Sequence, residues 1–211
     1  MLFILVRVYT IVMTDMTKFL IIAGCFAVSV LALGRAADKR DSRLVCAALG
    51  FTVAADYFLL IKLNYELGLA AFIIVQIVYN IRYRGIKVKH ALVLSAGLFA
   101  LANVMAGLSV LYALALVYAV LFCFSLSAAV RCFYDGSYPF INGYLVLGGM
   151  VCYAVCDVFV ALLNSGTAFA LQQQRGIVFV IWLFYIPGMM ALSISGIDFL
   201  SKRNTNFMES S

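Results

Sequence analysis

Several residue types that most catalytic sites use are scarce in this 211-residue chain. It has one histidine, one tryptophan and two prolines, and charged residues make up 11%. Soluble domains carry roughly 25% charged residues, so no stretch is polar enough to form a separate soluble domain. With His90 as the only histidine, histidine-ligated zinc hydrolysis lacks its ligands. A Ser-His-Asp site lacks its base, because His90 falls in a basic loop and not beside an embedded acid. The two prolines are Pro139, in a turn, and Pro187, which removes one hydrogen bond from the last span and is expected to kink it. There is no basic face for nucleic acid: the net charge of +6 comes from residues spread over short loops between apolar runs, where they meet anionic lipid headgroups.

What the chain does have is apolar length. Hydrophobic residues make up 66% and mean hydropathy is +1.09. At about 20 residues per crossing, seven or eight helices use up the sequence. The expected fold is all-α, a polytopic transmembrane helical bundle forming one domain over 1–211. The firm spans are Phe19–Gly34, Leu44–Ile61, Glu66–Tyr83, Ala91–Gly107, Leu108–Arg131, Phe140–Leu163 and Gly176–Leu200. Residues 1–17 hold a short apolar run, "LFILVRVYTIVM". No small-residue cleavage site follows it, so it reads as a short eighth crossing and not as a cleaved signal. Residues 201–211 form a polar tail. Cys25, Cys46, Cys123, Cys132, Cys152 and Cys156 lie almost entirely inside apolar runs and read as small buried hydrophobes. Cys152 and Cys156 share a helix face, but with no histidine beside them they do not make a metal site. No metal or cofactor is expected.

The loops set the orientation. Arg35, Lys39, Arg40, Arg43, Arg82, Arg84, Lys87, Lys89, Arg131, Lys202 and Arg203 fall on one side, against Lys18, Lys62 and Arg175 on the other. The positive-inside rule puts the rich side and the C-terminus in the cytoplasm of a multi-pass membrane protein.

Two aspartates break the apolar runs, Asp56 in "VAADYFLLIK" and Asp157 in "CYAVCDVFVALL". A charge at the centre of a membrane helix costs about 2.5–3.5 kcal/mol on insertion scales. Both spans run outward from the basic side; Asp56 lies six residues before Lys62 and Asp157 six before Leu163. At 1.5 Å per residue, that places both carboxyls about 9 Å below the outer end. Each has small residues before it and aromatic or aliphatic residues after it. With a short first crossing, this gives a four-plus-four division into parallel repeats.

Other polar groups fall within the spans. Gln76 and Asn80 share a helix face, with Tyr79 close to the same stripe; they suit a pocket wall or interhelical hydrogen bonds equally. Trp182 and Tyr185 precede Pro187 and Gly188. Trp182 also suits the outer aromatic belt, and Pro187 frees a carbonyl that can face a cavity. Asp135 and Asp198 read as structural, Asp198 through Lys202 four residues on. Two carboxyls in one low-dielectric pocket do not both ionise cheaply, so such a pair supplies an acid and a base together. Three uses fit: hydrolysis at an acetal or enol-ether carbon, proton-coupled transport, and binding of a cationic headgroup.

The segments "TKFLIIAGCFAVSVLAL", "LGFTVAADYFLLI", "LGLAAFIIVQIVYN" and "GGMVCYAVCDVFVALLNSG" resemble, in order and spacing, the YhhN family of membrane proteins, the lysoplasmalogenases. The resemblance covers about Lys18 to Ser193. It implies about eight membrane helices in a bacterial cell membrane. It also implies cleavage of the vinyl ether of lysoplasmalogen to a fatty aldehyde and a glycerophospho-headgroup, with Asp56 and Asp157 as the catalytic pair. The partner would be a lysophospholipid or another lipid. Gln76, Tyr79, Asn80, Trp182 and Tyr185 would line the substrate pocket. A non-enzymatic lipid binder or a small proton-coupled transporter would use the same acids. The chain departs from the family pattern at four places. Gln76 stands where histidine is usual, and Gly188-Met189 where Ala-Gln is common. Ala55 and Cys156 precede the aspartates where Gly or Ser is usual, and Phe19 follows Lys18 where proline is usual.

Overall fold

In the computed structural model, residues 2–105 and 107–199 are described, with side chains over 15–104 and 107–199. The described residues form eight α-helices: α1 (Leu2–Ala32), α2 (Lys39–Asp56), α3 (Tyr65–Arg82), α4 (Val88–Ala100), α5 (Val110–Tyr134), α6 (Phe140–Leu163), α7 (Ala168–Gln172) and α8 (Gln174–Ile194). α2 and α4 each continue into a wider π turn, Tyr57–Ile61 and Leu101–Met105. Six helices are long and apolar enough to cross a membrane, all but α4 and α7. With part of its π turn, α4 gives a shorter apolar helix, Val88–Val104.

The termini of the helices follow from local chemistry. Asp38 caps α2 by accepting from the Arg40 amide at 2.8 Å. Asn64 caps α3 by accepting from the Leu67 amide at 3.0 Å. Such caps satisfy amides that the first turn leaves open. The turn before α6 needs a left-handed residue, and Gly136 supplies it at φ 62°.

Two boundaries differ from the sequence reading. The separate short crossing expected over 1–17 falls mostly on side chains outside those described. Along the backbone, Leu2 already belongs to the same helix as the first firm span. The polar seam at Asp15 and Lys18 does not break that helix, because the two side chains pair at 3.0 Å one turn apart. The last span ends at Ile194, short of the expected Leu200. Beyond it, Ser195 to Asp198 turn and pair with the α1–α2 loop: the Ala37 amide donates to the Gly196 carbonyl at 3.1 Å, and the Asp198 amide to that of Arg35 at 2.8 Å. Pairing partner Lys202 and the expected tail over 201–211 lie outside the described residues. α8 runs through Pro187 without interruption.

Six helices close a ring. α2 packs on α3, α3 on α5, α5 on α6, α6 on α8, α8 on α1, and α1 back on α2. α4 lies outside it, against α3 and α5, and α2 also touches α8. The order follows the two halves of the chain, with the Asp56 and Asp157 helices across the ring from each other.

Close approach depends on glycine at two seams. A Cβ on Gly68 would meet the Ala55 carbonyl oxygen at 3.3 Å, so α3 lies against α2 one residue from Asp56. Where α6 meets α8, a Cβ on Gly188 would lie 3.1 Å from Cys152 Cβ and 3.2 Å from the Gly149 carbonyl. An alanine there does not fit this seam without a shift of a few tenths of an ångström. Gly188→Ala is therefore expected to lower the thermal midpoint in detergent, through an overpacking cost of about 1–3 kcal/mol. An unchanged midpoint would contradict the tight seam.

Candidate active site

Asp56 ends the regular part of α2. In the turn that follows, the Lys62 amide donates to the Tyr57 carbonyl five residues back, at 3.1 Å. Such π turns are rare and often mark functional sites. The Asp56 side chain is 4% exposed, and its Oδ2 accepts from the Tyr185 hydroxyl of α8 at 2.9 Å. Asp157 is half-buried on α6, and its Oδ2 accepts from the Tyr118 hydroxyl of α5 at 2.6 Å. Each acid is thus held by a tyrosine from another helix.

Tyr153 lies between the two pairs. It sits one turn before Asp157 on α6 and is buried. Its ring packs edge-on against Tyr185 at 6.0 Å and Phe122 at 5.4 Å. Phe72 closes the group at 6.0 Å from Tyr118 and 6.4 Å from Tyr153. The Cys156 thiol is buried within electrostatic reach of both carboxylates. The acids therefore flank one aromatic centre, built from Tyr118, Tyr153, Tyr185, Phe72 and Phe122. Among the described residues, no grouping of three or more His, Cys, Asp or Glu side chains is placed to hold a metal ion.

The sequence profile of the YhhN family matches residues 3–195. The chain belongs to the YhhN family. No curated protein and no solved structure matches it.

In this YhhN-family chain the other expected pocket residues are divided between two places. Tyr185 is at the centre, bonded to Asp56. Trp182 packs edge-on against Tyr185 at 5.5 Å. Lys18 Nζ lies 4.6 Å over the Trp182 ring, so α1 reaches the site through a cation–π contact. Gln76 and Asn80 are buried at the α3–α5 seam. Gln76 accepts from the Ser125 hydroxyl, and its Nε2 has no partner. Asn80 Nδ2 donates to the carbonyls of Gln76 and Leu121 at 2.9 and 3.1 Å, which commits that amide to helix packing. Tyr79 stacks on Tyr83 at 5.7 Å with ring planes 1° apart, and its buried hydroxyl is unpartnered.

Sequence reasoning missed Tyr118, Tyr153 and Ser125. Tyr153 was findable, being at i, i+4 from Asp157 on the same helix. Nothing in the sequence around Tyr118 distinguishes it from the other aromatics of α5.

Proposed function

We infer that the chain is a hydrolase of the lysoplasmalogenase type, cleaving the vinyl ether of an ether-linked lysophospholipid with Asp56 and Asp157. The observation that carries this is the pair itself: two embedded carboxyls, each oriented by a tyrosine hydroxyl, on either side of one aromatic centre. Vinyl ether hydrolysis needs a proton on the β-carbon of the double bond, which leaves an oxocarbenium-like cation. Water then adds to the cationic carbon, and the hemiacetal collapses to aldehyde and alcohol. One carboxylic acid delivers the first proton, and a carboxylate faces the cation and takes a proton from the water. The pair ends each cycle as it began, so no net proton is consumed. Tyrosine faces around the acids stabilise a passing cation and exclude bulk water. The same reading places the basic end of the bundle in the cytoplasm and the acids toward the outer leaflet.

Tyr185→Phe and Tyr118→Phe each remove one hydrogen bond to a carboxylate, worth about 1.5–3 kcal/mol. Each is expected to lower aldehyde release from lysoplasmalogen by about ten- to a hundredfold. Undiminished release in both variants would show that tyrosine orientation is not part of the chemistry.

A second reading, proton-coupled transport, is favoured by one observation. The Tyr79 hydroxyl and the Gln76 Nε2 are buried without partners, on a helix that leads from the acids toward Arg82. Transport predicts pH-driven flux in vesicles, followed with an entrapped dye, and no aldehyde product.

A further inference from the structure

The end of the bundle away from the acids contains a polar cavity of about 360 Å³, within the lower range of small-ligand sites, roughly 300–1,000 Å³. It lies where the α1–α2 loop, the end of α3, the start of α6 and the Ser195–Gly196 turn meet. Arg40, Arg82 and Arg84 line it together with Asp38 and Asp41.

The charges in its wall do not cancel evenly. Asp41 is fully engaged: Arg82 donates to it from Nε at 2.9 Å and from Nη2 at 2.8 Å, and the Tyr138 hydroxyl donates at 2.8 Å. Burial raises the Tyr138 hydroxyl above its ordinary range, so it stays protonated. Asp38 caps the first turn of α2. That leaves the guanidinium groups of Arg40 and Arg84, both exposed; among the described residues neither is in a salt bridge. The Arg84 backbone is left-handed at φ 51°, and its carbonyl accepts from Arg131 Nη2 at 3.1 Å. The start of α6 adds to this: Pro139 provides no side-chain cap, so the first amides of a 24-residue helix are open toward that end.

We propose that this cavity binds a phosphate-bearing anion through Arg40 and Arg84, at a site separate from the acid pair. Arginine presents forked donors that match phosphate oxygens, and the open α6 amides favour negative charge. The phosphate group belongs to an anionic lipid of the nearby leaflet or to a soluble phosphate compound. This does not depend on the hydrolase reading, since none of its residues touches the acids.

The test uses the full chain in neutral detergent. Thermal unfolding is followed with phosphatidylglycerol, phosphatidylcholine, inorganic phosphate and glycerol 3-phosphate. Phosphatidylglycerol is expected to raise the midpoint where phosphatidylcholine does not, with half-saturation at least tenfold higher in Arg40→Gln/Arg84→Gln. An equal shift from inorganic phosphate or glycerol 3-phosphate, also weakened in that variant, identifies a soluble ligand at the same site. Lys39→Gln/Arg43→Gln removes the same charge from exposed residues outside the cavity wall. If that control weakens binding as much as the cavity variant, attraction is diffuse leaflet electrostatics and the site is wrong. Absence of any anion-dependent shift overturns it equally.

Discussion

Asp157→Asn and Asp56→Asn are each expected to lower aldehyde release from lysoplasmalogen by about 10²–10⁴-fold, the range that positioned acid–base groups contribute. Asparagine keeps the shape of aspartate, and its carbonyl oxygen can still accept from Tyr118 or Tyr185. It can neither deliver a proton to carbon nor carry the negative charge that faces an oxocarbenium ion. Both variants should therefore fold, unfold near the wild-type midpoint and fail in chemistry. The double variant should be little worse than either single one, because residues that act as a unit are not additive. Wild-type turnover in either single variant would remove that residue from the mechanism. If the wild-type protein releases no aldehyde at all, the substrate is wrong, and the vesicle flux measurement decides whether the acids serve transport.

Arg82→Gln is expected to destabilise the fold strongly, by about 3–5 kcal/mol, the range for breaking a buried ion pair from one side. The Arg82 side chain is fully buried and that of Asp41 is 12% exposed. Removing the guanidinium leaves a carboxylate held mainly by Tyr138. Three elements meet there: α2 through Asp41, α3 through Arg82 and the start of α6 through Tyr138. Arg82 also lies over the Tyr83 and Tyr138 rings at 5.3 and 5.6 Å. A clear fall in the thermal midpoint checks this. Asp41→Asn placed on top of Arg82→Gln should recover part of the loss, since the stranded charge is then gone. A single variant that unfolds with the wild type would show that water already screens the pair.

The pattern of charge and apolar length made the helices legible. It also made the two acids conspicuous, because an aspartate in an apolar run has no local partner. The link from Asp56 to Tyr185 could be suspected from depth alone. The Arg82–Asp41 pair could not, as it joins residues 41 apart in sequence. Arg82 instead reads as one more loop cation, since hydropathy does not distinguish a guanidinium in solvent from one locked against a carboxylate. Gly188 carried a signal of a different kind. Its lack of a side chain matters because α6 and α8 come close at Gly149 and Cys152. The end of α8 was overestimated because "GIDFL" continues the apolar pattern, while the Gly196 contact with the α1–α2 loop decides where the helix stops.

The ring arrangement has a consequence for how the protein is made. Asp56 is synthesised early, on the second helix, but the hydroxyl that holds it lies 129 residues later in the chain. α8 is also the element that seals the circle against α1. Until it inserts, the growing chain is an open arc with an unsatisfied carboxyl on its inner wall. A ribosome paused before α8 would leave that arc in the bilayer, a substrate for membrane quality control, so the last helix sets the moment when the polar interior becomes hidden.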